Sequence, residues 1–158
     1  TIGYYSRHAR ISVDHKVRPD SRYGVSKAFG EAVGSYYADK FHLGVMAIRI
    51  GNVDDYPVDE RRLSIWISPR DLVQLVRIGL EHPDLHYEIV WGTSENARSW
   101  WDNEQARRLG YRPLDRAEDH RDYALANEAK RTPNPIADYY QGGDICAEEF
   151  TGDYLERR

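Results

Sequence analysis

The sequence predicts an α/β fold built on a parallel sheet, and three observations predict it. Helix and strand patterns alternate along the chain, in the order helix, strand, helix, strand, helix. The strand-like runs are short, continuously apolar and glycine-bounded, as in G-V-M-A-I-R-I-G, which suits strands covered on both faces. Only two or three such runs occur, whereas a doubly wound sheet usually has about six or more. The chain therefore reads as the carboxyl-terminal half of a doubly wound parallel sheet.

T-I-G-Y-Y at the start reads as the end of a strand entering a loop, and the mixed polar residues 6–20 continue that loop. Asp20 or Ser21 can cap a helix by accepting a bond from an orphan backbone N–H. That helix runs to about Phe41, with Val25, Phe29, Val33, Tyr36 and Tyr37 at helical spacing. Ala28, Gly30, Ala32 and Gly34 are small enough to let a neighbouring element approach closely. Gly44 breaks the chain, and residues 45–50 form a buried strand. Residues 51–64 read as a charged loop. Ser68-Pro69 supplies a cap followed by proline at the first helical position, and this helix ends near His82-Pro83. Y-E-I-V-W is the next strand. W-W-D-N-E-Q-A-R-R-L-G is a short helix closed by Gly110, and a further helix spans about 116–129. The prolines and Gly142-Gly143 beyond Thr132 predict an irregular tail, so the chain divides at 1–131 and 132–158.

The chain has 158 residues, 41% hydrophobic and 30% charged, the composition of one globular domain. A net charge of −4 argues against a nucleic-acid partner, and no apolar run approaches the roughly 20 residues of a membrane helix. The single cysteine, Cys146, cannot form an internal disulfide, which predicts a reducing, cytoplasmic setting. His82, Asp84 and His86 have metal-ligand residue types, but the intervening proline prevents helical spacing, and no metal site is expected. Trp100 and Trp101 read as packing residues, with Asp102 or Asn103 near a helix start.

Tyr23 and Lys27 stand four apart just after the first helix-start signal. Spacing alone cannot single them out, because Tyr36 and Lys40 repeat it on the same helix. Position can. Ligands of doubly wound sheets sit outside the carboxyl ends of the strands, where the following helices begin. Tyr23 lies in the first turn, and Tyr36 lies roughly 20 Å further along the axis. A phenol with an ammonium one turn away is suited to taking a proton from an alcohol. On spacing and position alone, an ordinary surface pair remains the heavier reading.

The flanking motifs shift that weight. R-P-D-S-R-Y-G-V-S-K, A-I-R-I-G-N-V, W-I-S-P-R-D-L-V, V-W-G-T-S and L-G-Y-R-P resemble, in order and over nearly the whole chain, the extended short-chain dehydrogenase/reductase family. I-G-Y-Y, R-R-L-S-I-W, S-W-W-D-N and Y-Q-G-G are most similar to its uronate dehydrogenase branch. The resemblance implies a Rossmann-like fold and NAD-dependent oxidation of a hexuronic acid, glucuronate or galacturonate, to an aldarolactone. It implies that Tyr23 is the general base and that Lys27 holds the nicotinamide ribose. Ile50, Gly51 and Asn52 then line the nicotinamide and substrate side, with Asn52 where the family commonly has serine. Arg61 matches the arginine that grips the uronate carboxylate. Unaided, the sequence makes Arg61 a solvated charge beside Asp59, Glu60 and Arg62.

The family's dinucleotide loop carries glycines three residues apart, and no two of the 12 glycines here have that spacing. The resemblance places that loop and the family's catalytic serine upstream of Thr1, in a missing amino-terminal half. The isolated chain is accordingly expected neither to bind NAD tightly nor to turn over. An open sheet edge and exposed apolar faces predict self-association or partner strands. Two rival readings are a nucleotide-sugar epimerase or dehydratase of the same superfamily, and a non-catalytic interaction module.

Overall fold

The structure, a computed structural model, describes residues 1–151. Its first helix, α1 (Arg22–Phe41), begins where Ser21 accepts the Gly24 N–H on its hydroxyl, at 3.0 Å. Ser21 rather than Asp20 is therefore the cap. The chain leaves α1 through His42 in the left-handed conformation and enters β1 (Val45–Ile50). β2 (Asn52–Val53), α2 (Arg62–Ile65) and β3 (Trp66–Ile67) follow. Ser68 then caps α3 (Pro69–Glu81), accepting from the Asp71 N–H, with Pro69 in the first turn. β4 (Tyr87–Gly92), α4 (Glu104–Arg108) and α5 (Arg121–Glu128) complete the main body, a 3₁₀ turn at Ala117–His120 leading into α5.

β1 and β4 pair in parallel, in a register running from Val45 opposite Tyr87 to Ile50 opposite Gly92. β2 and β3 form a second, two-residue parallel pair. The predicted α/β class with parallel strands is the observed one. Alternation along the strands sends successive side chains to opposite faces. Met46, Ile48 and Val90 face α3 and α4, where they close a core with Ile67, Leu75, Ala106 and Tyr111. Arg49 and Tyr87 face α1, where both bond Glu31. Gly34 of α1 sits against Val45, a distance at which an added Cβ would be only 3.0 Å from its Cγ1. Gly30, the other glycine read as a contact point, faces open space. A second core gathers Ile2, Ile11, Ile65, Trp91 and Trp101. A third gathers Leu63, Trp66, Ala117 and Ala124.

Four expectations need correction. The opening residues form turns and a bridge from Ser6 to Tyr140, not a strand end, because their backbone is engaged by the far end of the chain. The segment 51–64 is not all loop, since Asn52–Val53 pairs with Trp66–Ile67 and α2 starts at Arg62. The helix predicted over 116–129 is split between the 3₁₀ turn and α5. The tail is not irregular throughout. Asn134 accepts two backbone N–H groups to start α6 (Pro135–Tyr139), and α7 (Asp144–Ala147) follows Gly143. Residues 152–158 of that predicted tail lie outside the described residues. No described helix is long and apolar enough to cross a membrane.

Candidate active site

A cavity of about 510 Å³ opens where β1 ends and α1 begins. The first turn of α1 brings Tyr23 and Lys27 to it, the end of β1 brings Ile50 and Gly51, and the entry to α2 brings Arg61. Sequence reasoning had named all five. Tyr36 and Lys40 lie elsewhere, with Tyr36 packed edge-on against Tyr37 and Phe41. Asn52 does not line the cavity; it starts β2, and its Oδ1 is buried without a hydrogen-bond partner.

Tyr23 is 65% exposed, and the Lys27 ammonium lies over its ring, 5.0 Å from the centroid. This contact draws the cation toward the phenol and holds both groups on the cavity side of the helix. Arg61 is not the solvated charge that its neighbours in sequence suggest. Asp59 pairs with Arg62 instead, and Arg61 donates from Nε to the carbonyl of Gln141 at 2.8 Å. Its two terminal amino groups have no partner among the described residues. Burial first, then the guanidiniums of Arg62 and Arg7, push Arg61 down to about 10, which leaves it charged at neutral pH. A planar, charged fork with both terminal nitrogens free is suited to a carboxylate.

Several wall residues had not been recognised. Trp101 is buried and stacks on Trp91 with ring centroids 4.5 Å apart, so it is wall as well as packing. Gln141 and Gly142 close one side from the tail that had read as irregular. Asp20 faces the cavity, its carboxylate filling the space that a side chain on Gly3 or Gly142 would need. The motif Y-Q-G-G was the one sequence signal for the tail residues. Nothing local marked Asp20 or Trp101 as wall.

Cys146 is buried at α7, and burial, reinforced by Asp20, pushes its thiol up to about 12. It is therefore no nucleophile at neutral pH. His86 bonds Asp39 and His82 accepts the Asp84 N–H, so the His82–His86 turn is engaged locally. No group of three or more His, Cys, Asp and Glu side chains among the described residues could hold a metal ion.

No family model matches the chain. Relatives do. The uronate dehydrogenase of Pseudomonas putida is 43% identical over 143 residues, 90% of this chain and 53% of that protein. The structure of a mutated uronate dehydrogenase superposes with a TM-score of 0.87 at 36% identity, covering 99% of this chain and 56% of that one. The chain is homologous to the uronate dehydrogenases. It spans about half the length of the relatives it matches. A tyrosine-to-alanine mutant of the uronate dehydrogenase from Agrobacterium tumefaciens, solved in complex with NAD, superposes with a TM-score of 0.84 at 38% identity, over 94% of this chain and 56% of that one.

Proposed function

We propose that this chain is the carboxyl-terminal half of a Rossmann-like, NAD-dependent uronate dehydrogenase, with the cavity at the end of β1 as its substrate site. One observation carries the reading. Tyr23, Lys27 and Arg61 converge on one cavity at the carboxyl end of a parallel strand. There a sugar acid can meet a proton acceptor and a carboxylate grip together.

The residues present fit the nicotinamide end of NAD. A hydroxyl and an ammonium stand on the first turns of α1, next to a floor of Ile50 and Gly51. NAD, when bound, supplies the acceptor for the hydride leaving the anomeric carbon of glucuronate or galacturonate. Tyr23 takes the proton of the anomeric hydroxyl, so that the carbon–oxygen double bond of the aldarolactone forms as that hydride leaves. Lys27 holds the nicotinamide ribose and keeps positive charge beside the phenol, which favours the proton acceptor's charged form. Arg61 binds the uronate carboxylate through its terminal nitrogens and fixes the ring orientation. Asn52 adjoins the Ile50–Gly51 floor, and its unpartnered Oδ1 is the acceptor it offers for substrate binding. The dinucleotide pyrophosphate site is assigned to the part of the relatives' length that this chain does not span. The protein works in the cytoplasm.

Each strand of the β1–β4 pair has one neighbour among the described residues, and α1 exposes Val25, Phe29 and Tyr36. These surfaces suit the amino-terminal half and a second copy of the protein, so we infer a homo-oligomer. The decisive experiment is NAD reduction by the full-length protein with glucuronate and galacturonate. Oxidation is expected, lost by more than about 10²-fold in Tyr23→Phe. In Arg61→Ala the loss falls mainly on the KM for the uronate. Absence of uronate-dependent NAD reduction by the full-length protein sinks the proposal.

A further inference from the structure

Arg61 enters the cavity from a charged segment, and its placement there is set by a residue 80 positions away in sequence. We propose that Gln141 is the positioning residue that aims Arg61 at the substrate carboxylate, an inference that rests on the uronate reading above.

The main-chain carbonyl of Gln141 occupies the Nε of Arg61 at 2.8 Å. That contact takes the one donor on the side of the guanidinium and leaves the end-on pair of terminal nitrogens for a ligand. The carbonyl is held in turn by the residue's own side chain. Gln141 is 1% exposed. Its Nε2 donates to the carbonyls of Ser6 at 2.9 Å and Ala9 at 2.8 Å, and its Oε1 accepts the indole N–H of Trp101 at 2.9 Å. Its backbone N–H donates to Tyr5 at 2.8 Å. Both amide donors and the amide acceptor are used, so the side chain has one orientation available. An ionised glutamate of the same length offers no donor to the two carbonyls, and methionine offers neither donor nor a comparable acceptor.

The next residues complete the device. Gly143 has a φ of 67°, and a Cβ there would lie 2.7 Å from Arg61 Nε. The backbone thus turns directly against the guanidinium, and its distance from Arg61 is set on one side by Gln141 and on the other by the absence of a side chain at Gly143. Gln141 touches no reacting group; it acts through Arg61.

The test is steady-state kinetics of the full-length protein with glucuronate and NAD, comparing wild type, Gln141→Met, Gly143→Ala, Arg61→Ala and the Gln141→Met/Arg61→Ala double variant. Gln141→Met is expected to raise the KM for glucuronate about tenfold while kcat and the KM for NAD change by less than about twofold. In the Arg61→Ala background it adds no further loss, because its effect runs through that guanidinium. Gly143→Ala disturbs Arg61 with Gln141 in place and gives the same split, which calibrates the effect of a displaced guanidinium. If Gln141→Met does not fold, Gln141→Asn, which draws the amide one methylene short of the Ser6 and Ala9 carbonyls, decides the matter by the same split. Equal losses in kcat and in both KM values, or full additivity with Arg61→Ala, would mean a general structural role and overturn the proposal. So would an unchanged KM for glucuronate in an active enzyme. A wild type that does not oxidise glucuronate or galacturonate overturns the uronate reading itself, a result distinct from the preceding ones.

Discussion

The two faces of the β1–β4 pair are covered in different ways. On the α3 face, Leu75, Val90, Ala106 and Tyr111 are buried in one apolar core. At its end the buried carboxylate of Asp71 accepts from Ser94 Oγ at 2.6 Å and from the N–H groups of Leu114 and Asp115 at 2.9 and 3.1 Å. On the α1 face, contact runs through charge. Glu31 and Arg49 form a bidentate pair at 2.7 and 2.9 Å, and the Tyr87 hydroxyl donates to the Glu31 carbonyl. The apolar residues of α1 meanwhile point outward, Phe29 at 70% exposure. The α3 face is thus closed by this chain's own side chains. The α1 face keeps apolar surface for another partner, and the cavity lies beside it.

That contrast can be broken first at Asp71. Asp71→Ala strands one buried and two part-buried donors and should cost about 3 kcal/mol in urea unfolding. A loss under about 1 kcal/mol would mean that the α3 face is not the closed one. Next comes Glu31→Ala, which leaves the Arg49 guanidinium buried and unpaired. A loss of about 2–3 kcal/mol is expected by the same measurement. Restoring stability by adding Arg49→Met would show that unpaired charge, not lost packing, is the cause.

Phe29→Ser sharpens the comparison from the other side. Because the ring is exposed, stability of the 158-residue chain should shift by no more than about 0.5 kcal/mol. In the longer protein the same change should weaken self-association, as sedimentation would register. At neutral pH the smallest effect belongs to Cys146, whose thiol is protonated in both the folded and the unfolded chain. Its folded pKa lies above its unfolded one, so the thiol's contribution to stability is full below the unfolded value, near ~8.5, and fades as pH rises toward about 12. Wild type should therefore lose clearly more stability than Cys146→Ala over that alkaline window. At neutral pH thiol reagents should label Cys146 only after denaturation.

The parts of the fold legible in the sequence were those with local causes. Ser21 and Ser68-Pro69 mark helix starts through bonds within three residues. The glycine-bounded run 45–50 marks the strand correctly, but the full burial expected of it is not seen: only Arg49 is buried, and Ile50 is exposed. β2, β3 and α2 were not legible, because two-residue strands and a four-residue helix carry no periodicity. The site divides the same way. Tyr23 and Lys27 could be placed from the start of their helix. Arg61 looked solvated because its neighbours in sequence are charged, and its hydrogen-bond partner comes from residue 141, 80 positions away. Gln141 had no readable role, since Ser6, Ala9, Trp101 and Arg61 reach it only after folding.

That last feature also fixes an order of events. The side chain of Gln141 bonds residues 135 and 132 positions earlier, whereas β1 and β4 pair across a much shorter span. Closing so long a loop is entropically late, and contacts of that separation slow folding. During synthesis from the amino terminus, Tyr23 and Lys27 emerge well before the residue that anchors Arg61. The cavity acquires its Gln141–Gly142 wall only once residue 141 has left the ribosome, so a nascent chain stalled before that point holds Tyr23 and Lys27 but not the carbonyl that engages Arg61 Nε.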